Sequence, residues 1–377
     1  MIYLDHAATT PVPKEVAGAV YDALMYGWGN PSSQYPHGAQ AKGNVDKARE
    51  TLASALGCKI EQFIFTSCGS ESDNFAIRIA VRQNRRVGKH IITTAVEHSA
   101  VLEPCKLLQA DGYEVTYLKP DKNGNVTVEQ VASALREDTV LVSMMLVNNE
   151  TGCVFPVQEV AQLLRERKSA ALLHTDAVQG FLKVPFRADT LGADMISISG
   201  HKIGAPKGIG GLYLGERVRA PRPLIAGGGQ ERGLRSGTEA TAQIAGLKKA
   251  VELRMENLSQ KLAHMAEIKQ YASEKLLAID GVVRVGNGSA PHILALSLVG
   301  YPSANVVTEL GQAGICISAG SACHRGQLSH VYKEMGLDKK TAAGVLRVSF
   351  GPETTKEEID ALCEALRKHR DTRFPML

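Results

Sequence analysis

The sequence has no C-x-x-C pair, no long apolar run and little net charge. Its seven cysteines, at 58, 68, 105, 153, 316, 323 and 363, are odd in number and far apart, which argues against a disulfide framework or a zinc knuckle. Each is first read as a small buried hydrophobe. Without a long apolar run, and with Asp5, Lys14 and Glu15 near the start, neither a signal peptide nor a membrane span is expected, and the cytoplasm is the expected location. A net charge of +4 spread along the chain makes neither nucleic acid nor a membrane surface the default partner. Internal repeats, low-complexity tracts, long linkers and metal-ligand spacings are also lacking.

What is present is apolar material for a large core, 44% of 377 residues. From about residue 60, β-rich runs alternate with amphipathic stretches. The runs are Phe63–Thr66, His90–Thr94, Glu114–Tyr117, Val140–Met145, Ala171–Asp176 and Met195–Ser199, with helical patterns between several of them, such as Ser99–Ala110 and Val157–Arg167. This predicts an α/β fold with a mostly parallel sheet covered by helices. A polar helical stretch over Ala242–Leu277 bridges to a smaller α+β domain that ends in the amphipathic segment Lys356–Arg370. The division expected is an N-terminal segment 1–14 packing with the small domain, a large domain 15–255 and a small domain 256–377. Ligands of such sheets gather at the carboxyl ends of the strands.

Chemistry-bearing residues fall at those ends. Lys202, in Ser199-Gly200-His201-Lys202, follows a core strand, and its amine could condense with a carbonyl cofactor and later serve as a base. Glycines at 204, 208, 210 and 211 read as open backbone. Asp176 ends an apolar run, where a carboxylate needs a positive partner such as a protonated pyridine nitrogen; capping the next helix is the ordinary alternative. Thr66-Ser67-Cys68-Gly69-Ser70-Glu71-Ser72 passes from strand to helix and offers backbone N–H groups to a phosphate. His98 could stack on a flat ring and move protons, though a lone histidine is more often structural. Arg347 interrupts the strand-like run 344–350 and is either a fork for a carboxylate or half of a structural salt bridge. Cys323 lies in a glycine-rich stretch beside His324 and Arg325, neighbours that favour the thiolate of a nucleophile.

Taken together these residues resemble the cysteine desulfurases of the NifS and IscS kind, within the class V aminotransferase-like, fold-type I pyridoxal-phosphate enzymes. The resemblance runs from Tyr3-Leu4-Asp5-His6-Ala7-Ala8-Thr9-Thr10 to Arg347. It includes Gly29-Asn30-Pro31-Ser32-Ser33, Gly69-Ser70-Glu71-Ser72-Asp73-Asn74, Glu97-His98, Asn148-Asn149-Glu150, Gly227-Gly228-Gly229-Gln230-Glu231, Arg235-Ser236-Gly237-Thr238 and Gly320-Ser321-Ala322-Cys323.

It implies pyridoxal 5'-phosphate joined to Lys202, with His98 over the ring, Asp176 at its nitrogen and Gln179 at its phenolic oxygen. The phosphate falls to Gly69, Ser70, Ser199 and His201, and to Thr238 from the other subunit of a homodimer. Asn149 and Arg347 are implied to bind the carboxylate of L-cysteine. Cys323 takes the sulfur as a persulfide, leaving alanine, and passes it to an acceptor protein such as an iron–sulfur scaffold or a tRNA-thiolation partner. Selenocysteine lyase and cysteine desulfhydrase are the alternatives on the same fold, and a binding protein without turnover is the alternative outside enzymology. The chain departs from the family at Tyr35, where histidine is frequent, at Cys68 and Ser70, and in a shorter segment after Cys323.

Overall fold

A computed structural model describes residues 1–320 and 328–376. Twelve strands occur among them: β1 (Ile2–Tyr3), β2 (Phe63–Thr66), β3 (His90–Thr94), β4 (Glu114–Leu118), β5 (Thr139–Ser143), β6 (Leu172–Asp176), β7 (Met195–Ser199), β8 (Gly210–Leu214), β9 (Val282–Arg284), β10 (Ile293–Leu298), β11 (Ile315–Cys316) and β12 (Val345–Ser349). Strands β2 to β8 form one sheet in the order β2-β8-β7-β6-β5-β3-β4. Its pairings are parallel from β7 through β4, whereas β8 runs antiparallel to both neighbours.

Strands β5, β6 and β7 are buried along their whole length, as expected of a sheet covered on both faces. Their runs of valine, leucine and isoleucine suit such a site. Two apolar clusters flank this sheet. One carries Ile64, Phe75, Ile79 and Ile91; the larger carries Leu52, Phe65, Val142, Phe155 and Leu247, and extends to Val331, Tyr332 and Val345 near the C-terminus. A third cluster gathers Leu4, Ile268, Leu296, Ile315, Val348 and Leu362 around the antiparallel sheet β12-β10-β9 and the pair β1-β11. The first residues of the chain are therefore built into structure contributed by the last hundred.

Two features differ from the sequence reading. β8 contains Gly210 and Gly211, which read as open backbone. Both are needed for close approach, since a Cβ on Gly211 would lie 2.2 Å from the Phe63 ring and one on Gly210 would lie 2.7 Å from the Ile198 carbonyl oxygen. The polar stretch after residue 240 is two helices, Thr241–Met255 and Leu258–Leu277, separated where Asn257 takes the left-handed conformation (φ 53°). Asparagine tolerates that conformation better than most residues. Among the described residues, no helix is long and apolar enough to cross a membrane.

Candidate active site

A cavity of about 300 Å³ opens at the carboxyl ends of the parallel strands. It is lined by Gly69, Ser70, His98, Asn149, Asp176, Gln179, Ser199, His201, Lys202 and Arg347, joined by Ala7, Ala8, Cys68 and Asp73. Ten of the residues singled out in the sequence are thus brought together from loops after β2, β3, β5, β6 and β7 and from β12 itself. Thr238 is exposed on the single chain and does not line the cavity. Cys323 lies outside the described residues.

Lys202 closes a single 3₁₀ turn, Gly200–Lys202, directly after β7. Its Nζ donates to the carbonyl oxygens of Ala7 and Ala8, each at 2.7 Å, so the N-terminal segment holds the amine at the cavity wall. That segment is tied back to the same turn: Thr10 N–H and Oγ1 both donate to the His201 carbonyl, and His201 Nδ1 lies 3.1 Å from Thr9 Oγ1. Burial, reinforced by Lys202, Lys183 and Lys207, lowers the His201 pKa to about 4, so its imidazole is neutral near pH 7.

Asp176, the last residue of β6, is 7% exposed, and its Oδ1 accepts the Val178 N–H at 2.8 Å. Burial, with the neighbouring Asp73 carboxylate, pushes its pKa up to about 7. Asp73, on the helix Gly69–Gln83, is also pushed up to about 7 by burial, and its Oδ1 has no hydrogen-bond partner among the described residues. Among the described residues neither carboxyl forms a salt bridge with a lysine or an arginine. His174 does not supply a cation: its Nε2 is 3.4 Å from Asp73, and burial lowers its pKa to about 4.

His98 caps the helix Ser99–Ala110. Its Nδ1 accepts the Ala100 N–H at 3.1 Å, which leaves Nε2 to carry the proton of the neutral ring. Burial lowers its pKa, against the opposing Asp176 charge. The preceding Glu97 is buried and accepts from Thr94 Oγ1 and the Met145 N–H, which fixes the turn that presents His98.

The helix Gly69–Gln83 begins at the cavity with no side-chain cap, so its first N–H groups are available to an anion. A Cβ on Gly69 would lie 2.7 Å from Val178 Cγ2; glycine lets the helix end sit against the turn after Asp176. Opposite, Asn148 Oδ1 accepts the N–H groups of Glu150 and Thr151, shaping the turn that carries Asn149. Arg347 Nη1 donates to the Asn149 carbonyl at 2.9 Å and Nη2 to Asp5 Oδ1 at 2.7 Å, while its buried Nε has no partner among the described residues. Both sequence readings of Arg347 therefore describe part of its surroundings: it forms a salt bridge and it faces the cavity.

These surroundings fit pyridoxal phosphate. The uncompensated Asp176 matches a ring nitrogen that bears a proton, the uncapped helix end at Gly69 matches a phosphate, and Lys202 is the amine between them. Sequence reasoning missed Asp73, Asp5 and Lys183 as contributors. Asp73 and Asp5 stood in motifs carrying the resemblance, but nothing in their spacing disclosed what they face.

The profile described as "Aminotransferase class-V" matches residues 2–362. The cysteine desulfurase of Trichormus azollae is 41% identical over 371 residues, covering 97% of this chain and 92% of that protein. A solved NifS-like protein superposes with a TM-score of 0.93 at 34% identity, covering 99% of this chain and all of that one. The structure titled "SspA in complex with cysteine" has a TM-score of 0.81 at 33% identity, covering 94% of this chain and all of that one.

Proposed function

The chain belongs to the aminotransferase class-V family and is a pyridoxal-phosphate-dependent cysteine desulfurase, and we propose that the residues of its cavity and Cys323 divide the reaction among them. When bound, the cofactor supplies an electron sink that acidifies the substrate Cα–H and weakens the Cβ–S bond. Lys202 would hold the cofactor covalently, and its free amine would take the substrate Cα proton. Asp176 keeps the ring nitrogen protonated, Gln179 donates to the phenolic oxygen, and His98 covers the ring and carries a proton on Nε2. Gly69, Ser70, Ser199 and His201 hold the phosphate.

Arg347, with Asn149 beside it, binds the L-cysteine carboxylate. The Cys323 thiolate then attacks the substrate sulfur. The Cβ–S electron pair stays on carbon, which is protonated to the methyl of alanine, and Cys323 keeps the sulfur as a persulfide.

The exposure of Thr238 outside the cavity supports a homodimer in which the partner subunit's Thr238 reaches the phosphate. The persulfide goes on to an acceptor protein, an iron–sulfur scaffold or a tRNA-thiolation partner. Residues 15–255 and 256–377 are two domains with segment 1–14 attached to the second; the separate cluster around Leu4, Ile268 and Leu362 supports this.

The single observation that carries the catalytic reading is the convergence of the Lys202 amine and the uncompensated Asp176 carboxyl in one cavity. Incubation of the holoenzyme with L-cysteine and a thiol acceptor tests it. Alanine and transferred sulfur in equal amounts are expected, the sulfur released as sulfide where excess thiol reduces the persulfide; pyruvate in place of alanine would indicate an eliminating enzyme instead.

A further inference from the structure

Lys183 is buried, 2% exposed, and among the described residues its amine pairs with no carboxylate. Its hydrogen bond runs to Gln179 Oε1 at 3.0 Å. Burial holds its pKa well below the usual lysine range, with Lys202, Arg254 and Arg347 the charged groups that add to the effect. The chain enters Lys183 through Leu182 at φ 55°, a left-handed conformation that is unfavourable for a non-glycine residue. A buried amine without a counter-ion is costly as well. Both costs are met at a residue whose N–H points at one atom of the cavity wall.

That atom decides which way an amide faces. Gln179 Nε2 donates to the Ala7 carbonyl at 2.8 Å, and the same carbonyl accepts from Lys202 Nζ at 2.7 Å. A carbonyl oxygen only accepts, and a lysine N–H donates whether or not the amine is charged. Gln179 therefore has one consistent orientation, with Oε1 toward Lys183 and its NH₂ toward Ala7. One of the two N–H bonds is used at Ala7. The other remains for an oxygen inside the cavity that Gln179 lines.

We propose that Lys183 is a positioning residue that, acting through Gln179, keeps an amide N–H aimed at the phenolic oxygen of the cofactor and thereby sets the protonation of the link between Lys202 and the cofactor. This rests on the cofactor assignment above. A donor at the phenolic oxygen stabilises negative charge there, which lowers the basicity of the adjacent linking nitrogen. Without Lys183 the amide keeps only its bond to the Ala7 carbonyl, so its remaining N–H is less firmly aimed; the donor is weakened and the linking nitrogen becomes more basic.

The test is a pH titration of the visible absorption of the resting holoenzyme, without substrate, for wild type, Lys183→Met, Gln179→Leu and the double variant. Lys183→Met should raise the midpoint by about one pH unit. Gln179→Leu should raise it as far, and the double variant no further. Should Lys183→Met fail to fold, Lys183→Ala titrated with and without added ethylamine replaces it. The amine should bring the midpoint back toward wild type, which a purely structural role for Lys183 does not predict. An unshifted midpoint in a cofactor-loaded Lys183 variant overturns the proposal, as does a double variant that shifts beyond Gln179→Leu. A wild-type protein with no visible cofactor band would instead overturn the assignment on which it rests.

Discussion

Arg347 meets Asp5 across the cavity wall, Nη2 to Oδ1 at 2.7 Å, with side-chain exposures of 3% and 18%. The second residue after β1 and the middle of β12 are thereby joined, and the guanidinium is held before any carboxylate arrives. We expect Arg347→Ala to weaken L-cysteine binding far more than cofactor binding, by about 2–5 kcal/mol for a desolvated bidentate pair. Lysine should not restore it, because a point charge cannot reproduce the fork. Substrate titration of the cofactor absorption checks this; unchanged apparent affinity with an intact fold would return Arg347 to a purely structural role.

The Lys202 assignment predicts that Lys202→Ala abolishes turnover. Borohydride reduction of the wild-type holoenzyme followed by peptide mapping should place the label on Lys202. A label on Lys207, the next lysine in the sequence, would refute the assignment.

Gly69→Ala should damage cofactor retention more than folding. The added methyl would press on Val178 Cγ2 at 2.7 Å, separating the helix end from the Asp176 turn, and overpacking of this kind costs about 1–3 kcal/mol. Equilibrium dialysis of pyridoxal phosphate against the variant, alongside its thermal unfolding, separates the two effects.

Asp73 gives a pH-dependent prediction for the cofactor-free protein. Its pKa is pushed up to about 7 by burial, above the 3.8 of an exposed aspartate. The folded state therefore binds more protons than the unfolded one in between, and stability is lost as pH rises from about 4 to about 7. Asp73→Asn removes that loss. It should stabilise the apoprotein little at pH 4 and by on the order of 4 kcal/mol at pH 8. Equal stabilisation at both values would show that the carboxyl is not the cause.

The buried strands were legible because a sheet covered on both faces demands continuous runs of apolar and β-branched residues: β2, β3 and β7 begin and end at the residues read from the sequence. β8 was hidden because its two glycines, required where Phe63 and Ile198 press on the backbone, mimic a loop. The site was legible where chemistry needs a particular side chain after a strand, as at Lys202 and Asp176. It was illegible where a residue acts through a contact distant in sequence. Asp5 reaches Arg347 across 342 positions, and nothing in the pattern around Lys183 discloses that its amine meets Gln179.

Mass spectrometry of the protein quenched soon after mixing with L-cysteine, in the absence of an acceptor, tests the division of labour between Lys202 and Cys323 most directly. One added sulfur on the Cys323 peptide of the wild type is expected, with one alanine released per sulfur. Cys323→Ser should bind cofactor and L-cysteine, shown by the change in visible absorption, yet gain no sulfur and form no alanine catalytically. Replacement of cysteines 58, 68, 105, 153, 316 and 363 should leave the transfer intact. Alanine and transferable sulfur formed by Cys323→Ser at the wild-type rate, or the added sulfur appearing on another cysteine, would contradict it.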